Sequence, residues 1–104
     1  MARKPAAGPA ADPELLILSS LASGPKHGYA IRTDVEDFAA VTLGPGTLYT
    51  AIARLVDKKL IVPLSASGRQ RPYRLTAQGS SSLANQLNEA RRVASIGLAR
   101  LRHA

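Results

Sequence analysis

Cysteine and tryptophan are both absent from this 104-residue sequence. Without thiols there is no disulfide framework, no thiolate metal site and no cysteine nucleophile. That fits a cytoplasmic protein. Aromatic residues are scarce, with three tyrosines and one phenylalanine. Recognition of single-stranded RNA by base stacking therefore has few candidates. No apolar run approaches the ~20 residues that span a bilayer, so no membrane partner is expected. The opening stretch MARKPAAGPAADP has charges but lacks the apolar segment of a secretory leader. The two histidines, His27 and His103, lie far apart and have no clustered carboxylates beside them. No metal site is expected from them, and no cofactor. Neither a nucleophile–base–metal constellation nor a glycine-rich phosphate loop with its lysine occurs, which argues against an enzyme.

Acidic residues are also few: seven, against fourteen lysines and arginines, for a formal net charge of +7. A basic excess on so small a chain favours a polyanionic partner. The excess is localised. Residues 1–40 sum to −1, residues 41–76 to +5 and residues 77–104 to +3.

Residues 1–11 consist of alanine, proline, glycine, Met1 and the basic pair Arg3 and Lys4. They read as a flexible arm, because such a composition cannot build a core. Asp12 then caps a first helix with Pro13 at its first position. This helix runs through Leu15, Leu16, Ile17, Leu18 and Leu21 and stops near Gly24-Pro25. Its apolar residues go most of the way round, so it is buried on more than one side. A second helix is expected from about His27 to Ala39, with Ala30, Ile31, Val35 and Phe38 inward and Arg32, Asp34, Glu36 and Asp37 in water. Gly44 and Pro45 begin a third helix whose core face is Leu48, Ile52, Leu55 and Val56.

The period then changes to that of strands. Leu60–Leu64 and Tyr73–Leu75 read as a hairpin whose polar tip spans residues 65–72, and Pro63 and Pro72 imply edge or irregular pairing. Thr76 caps a final helix running to the chain end. The expected architecture is mainly α with a small β-hairpin: a winged helix-turn-helix over 12–76, preceded by the 1–11 arm and followed by a dimerisation helix over 77–104.

A recognition helix keeps one face for the core and offers the other to the major groove. With Leu48, Ile52 and Leu55 inward, a rotation of about 100° per residue puts Gly46, Thr50, Ala53, Arg54 and Asp57 outward. Thr47 and Tyr49 fall on the flanks. The free N–H groups at Gly46 and Thr47 can bind a phosphate. Thr47 and Thr50 can reach phosphates or base edges, and Arg54 can pair with guanine or a phosphate. The wing contributes Arg69, Gln70 and Arg71, suited to a minor groove. Arg74 is a weaker candidate, since it can face either side of its strand. Lys26, at the start of the second helix, is placed for a phosphate contact. Tyr29 has two readings, core or DNA.

In the last helix, Leu83, Leu87, Ala90, Ala94, Leu98 and Leu101 follow a three-four spacing. Either this stripe folds back on its own domain or it pairs with a second copy, with Leu16 of the first helix beside it. A two-fold dimer would set two recognition helices about one DNA turn apart on a palindromic operator. The competing reading is a winged-helix module that binds protein, its basic face incidental.

Several short motifs also occur in order: His27-Gly28-Tyr29, Pro45-Gly46-Thr47-Leu48-Tyr49, Arg54-Leu55, and Tyr73-Arg74-Leu75-Thr76 followed by Gly79. Together they resemble the PadR family of bacterial transcriptional regulators across nearly all of 13–79. The resemblance implies a winged helix-turn-helix with a single C-terminal dimerisation helix, as in the family's short form. It also implies a repressor-like role, release from double-stranded DNA by a small-molecule effector or stress signal, and DNA contacts at Thr47, Tyr49 and the wing arginines. Two positions depart from the pattern. Lys59 stands where the family often has glycine, so a left-handed backbone is expected on a residue with a side chain. Thr50 stands where a proline is usual. Some short members hold flat aromatic drugs between tryptophans, a mode that this chain cannot share.

Overall fold

The computed structural model describes residues 12–65 and 71–104. The first helix, α1 (Pro13–Leu21), starts as its sequence dictates. The Asp12 carboxylate accepts the Glu14 N–H at 3.2 Å, and Pro13 occupies the first turn. Leu16, Ile17, Leu18 and Leu21 are all buried, so α1 is the central rod of the core. Its neighbours are α2 (Gly28–Ala39), α3 (Pro45–Asp57) and α4 (Ala77–Arg102). They supply Ile31 and Val35, then Leu48, Ala51, Ile52 and Leu55, then Leu83, all in one apolar cluster.

Three short strands complete the body: β1 (Lys26–His27), β2 (Ile61–Pro63) and β3 (Pro72–Leu75), antiparallel in the order β1-β3-β2. β1 corrects the expectation that Lys26 and His27 open the second helix. They pair with Tyr73 and Pro72, and His27 caps α2, its Nδ1 accepting the Ala30 N–H at 3.3 Å. Pro72 therefore lies in the central strand and not at an edge. It is tolerated because it is the first residue of β3, where its missing N–H costs least, while its carbonyl accepts Leu64 N–H at 2.8 Å.

Two more side chains sit elsewhere than the helical spacing implied. Phe38 is 51% exposed. The buried arc of α2 runs through Gly28, Ile31, Val35 and half-buried Ala39, which leaves Phe38 at its margin. Asp34 is half-buried, accepting the Ser20 hydroxyl at 2.7 Å.

The junction between α3 and β2 is a full left-handed cap. Lys59 has φ +64°. Its N–H donates to Val56 O at 2.9 Å, and Leu60 N–H donates to Leu55 O at 3.0 Å. Thr76 fastens this turn to the last helix. Its hydroxyl reaches the carbonyls of Lys59 at 2.8 Å and Leu60 at 3.1 Å, and accepts Gly79 N–H at 2.9 Å. Gly79 lies so close to the Leu60 carbonyl that a Cβ there would overlap it. The first turns of α4 thus belong to the packed body.

Candidate nucleic-acid interface

Helices α2 and α3 form the helix-turn-helix. Ala40 closes α2 in the left-handed region at φ +55°, and the Arg32 side chain holds the turn by donating to Leu43 O at 3.0 Å. Across the pair, the Tyr49 ring lies against Gly28, where a side chain would strike it. The glycine of the His-Gly-Tyr motif therefore makes room for the tyrosine of the next motif. Tyr49 is still 51% exposed.

The outer face of α3 is open. Gly46, Thr47, Thr50, Ala53, Arg54 and Asp57 are all exposed, while Leu48, Ala51, Ile52 and Leu55 are buried. Gly44 has no side chain to cap the helix, so no side chain covers its first N–H groups. Together with the aligned peptide dipoles, this end attracts anions.

The face is bounded by a shallow concavity of about 500 Å³. Gly46, Thr47, Thr50, Ala51 and Arg54 form one wall, and Asp12, Pro13 and Glu14 form the other. The α1 residues are an addition to the sequence-based site. Nothing local to residues 12–14 signals it, because only tertiary packing brings the start of α1 beside α3. Glu14 pairs with Lys58 Nζ at 2.7 Å, which ties the start of α1 to the end of α3.

The wing side is partly described. Arg71 is exposed just before β3, and Arg74 is exposed with its Nη1 donating to Leu75 O at 3.0 Å. Arg69 and Gln70 lie outside the described residues. Lys26 differs from expectation. Its ammonium turns inward to the Ser20 carbonyl and the Ser23 hydroxyl, the latter at 2.6 Å, with Asp34 at 4.0 Å. Its side chain is only 19% exposed, so it braces the end of α1 and is not presented to a phosphate. Tyr29, at 63% exposure, is outside the core.

The dimerisation set divides in two. Leu16 and Leu83 are buried in the monomer core and correct the assignment of both to a subunit interface. They are consumed internally because α1 and the first turns of α4 pack on each other. Leu87, Ala90, Ala94, Leu98 and Leu101 are exposed, as are Val93 and Ile96, which the three-four pattern omitted. Only the start of the stripe folds back on its own domain, at Leu83; the rest of it does not pack there.

Among the described residues no three His, Cys, Asp or Glu side chains group to hold a metal, and no helix is long and apolar enough to cross a membrane.

Among the described residues, four helices, two of them a helix-turn-helix with an open outer face, and a three-stranded sheet define a winged-helix protein. The chain belongs to the transcriptional regulator PadR-like family, whose sequence profile matches residues 17–85. Its members are DNA-binding regulators and not enzymes. A PadR family transcription regulator from Clostridium difficile R20291 superposes with a TM-score of 0.76 at 30% identity, over 86% of this chain and 97% of that one. A transcriptional regulator from Clostridium thermocellum gives a TM-score of 0.73 at 25% identity, over 80% and 86% of the two chains. An uncharacterized 37.1 kDa protein in transposon TN4556 of Streptomyces fradiae is 45% identical over 82 residues. That match covers 79% of this chain but 24% of the Streptomyces protein, so the chain spans about a quarter of that relative.

Proposed function

We propose that this regulator binds a palindromic operator as a homodimer and represses transcription, with α3 in the major groove. The observation that carries this reading is the exposed outer face of α3, small at its uncapped N-terminal end and carrying Arg54 further along. Gly46 and Thr47 N–H groups hold a phosphate, Thr50 and Arg54 meet base edges, and Tyr49 flanks them from its seat on Gly28. Arg71 supplies the wing's cation beside the tip, to which Arg69 and Gln70 are assigned from sequence alone.

The dimer rests on α4. A helix of 26 residues is about 39 Å long, and past Leu83 its apolar residues Leu87, Val93, Ile96, Leu98 and Leu101 are exposed. A second copy would bury them, with Ala90, Ala94 and Gly97 permitting close approach. An effector that releases DNA is carried over from the family resemblance, and its chemistry is open.

The test is fluorescence anisotropy with the duplex upstream of the protein's own gene and with a random duplex, across a salt series. Tight, salt-dependent preference for the upstream DNA is expected. No binding to either duplex at low salt would instead favour a protein-interaction module.

A further inference from the structure

Gly28 is the first residue of α2, and it is buried. The group lying over it is the Tyr49 ring of α3. A Cβ on Gly28 would come within 2.8 Å of Tyr49 Cε1 and Cζ, and closer still to the hydroxyl oxygen. The backbone does not ask for glycine here. Gly28 lies in a helix and has no positive φ, so any L-residue could adopt its conformation. Glycine is needed for space alone, and the space is filled by Tyr49.

The atoms in conflict are the far end of a side chain that is 51% exposed. A methyl on Gly28 would turn that phenol outward into solvent and leave the fold standing. The pose of α3 is held by other contacts. Leu48, Ala51, Ile52 and Leu55 are seated in the core, and the Arg32 side chain donates to Leu43 O at 3.0 Å just before the helix. The position of the ring and the position of the helix are therefore separable.

In a helix-turn-helix the first helix crosses the DNA backbone while the second enters the groove. A phenol of α3 that rests on the first residue of α2 lies where those two tasks meet. Its hydroxyl is a neutral donor suited to a phosphate oxygen, a contact that positions the protein without reading sequence.

We propose that Gly28 is a positioning residue. By leaving its Cβ position empty, it sets the Tyr49 hydroxyl on a phosphate of the strand that α2 crosses. This rests on the reading that α3 faces duplex DNA.

The test measures binding to a random duplex, and to the sequence that wild type selects from a random pool, across a salt series. The proteins are wild type, Gly28→Ala, Tyr49→Phe, Tyr49→Ala, and Gly28→Ala combined with Tyr49→Ala. Gly28→Ala is expected to weaken binding to both duplexes by the same factor, about tenfold for a hydrogen bond to a charged group. The log–log salt slope should not change, because no cation is removed. Tyr49→Phe, which leaves Gly28 alone, should show the same loss. Beside Tyr49→Ala the Gly28 methyl should add nothing, since the ring it displaces is gone. Thermal unfolding of Gly28→Ala should match or exceed wild type, because alanine is the better helix former. Wild-type affinity in Gly28→Ala overturns the positioning role. A loss confined to the selected sequence, or one that persists beside Tyr49→Ala, also overturns it, because α3 itself would then have shifted. So does a marked drop in stability, which would mean that the ring has no way out. If wild type selects no sequence, the DNA reading of α3 fails and the role falls with it, a result that no comparison among the variants can produce.

Discussion

Replacing Lys59 with glycine should stabilise the protein, and the amount follows from the backbone. Lys59 sits at φ +64°, held there by its own N–H on Val56 O, by Leu60 N–H on Leu55 O and by the Thr76 hydroxyl on its carbonyl. An L-residue in this region loses about 1–2 kcal/mol to contact between its Cβ and the backbone. Glycine avoids that contact but has about 0.4–1 kcal/mol more unfolded-state entropy to surrender. The difference leaves Lys59→Gly more stable by about 0.5–1 kcal/mol. In a domain of this size that is a rise of about 3–6 °C in Tm. Lys59→Ala is the control, because it removes the same charge and keeps the strained geometry. It should stay within about 0.5 kcal/mol of wild type. The assay is thermal unfolding followed by circular dichroism at matched protein concentration, since self-association shifts Tm by mass action. If Lys59→Gly is no more stable than Lys59→Ala, backbone strain at the helix end is not the operative term and the argument is wrong.

Gly79→Ala should destabilise by about 1–3 kcal/mol or more, because the new methyl overlaps the Leu60 carbonyl oxygen; urea unfolding would measure it, and a neutral result would mean that the α4 junction yields easily. Leu87→Asp with Leu98→Asp should give a monomer by sedimentation velocity with near-wild-type helicity, since both side chains are exposed past the packed body; persistent dimer would locate the interface elsewhere. Arg54→Ala should cost about 1–3 kcal/mol of discrimination at one operator position, read by duplex selection, and an unaltered sequence profile would remove Arg54 from base reading.

Local chemistry made much of this protein legible. Asp12 with Pro13, Gly44 with Pro45, and Thr76 all begin helices where their side chains and dihedral preferences say they should. The alternation of faces on α3 separated Leu48, Ile52 and Leu55 from Gly46, Thr50 and Arg54, because one helix's geometry determines that separation. The left-handed Lys59 was implied by the family resemblance, in which glycine is often found at that position, and its backbone does lie there. These signals lie within a turn or two of the residue concerned.

What only the tertiary structure decided is which neighbour arrives on each side. Leu16 and Leu83 have the spacing of interface residues, but α1 and α4 meet within one chain and bury them there. Lys26 looks like a phosphate contact until the end of α1 supplies Ser20 and Ser23 for its ammonium. Two residues cannot announce themselves as a strand, so β1 exists only because β3 lies alongside it, and that pairing makes a proline-led strand the central one. The rim formed by Asp12, Pro13 and Glu14 joins positions more than thirty residues apart. Periodicity reports that a face is apolar or polar; burial and charge pairing depend on what packs against it.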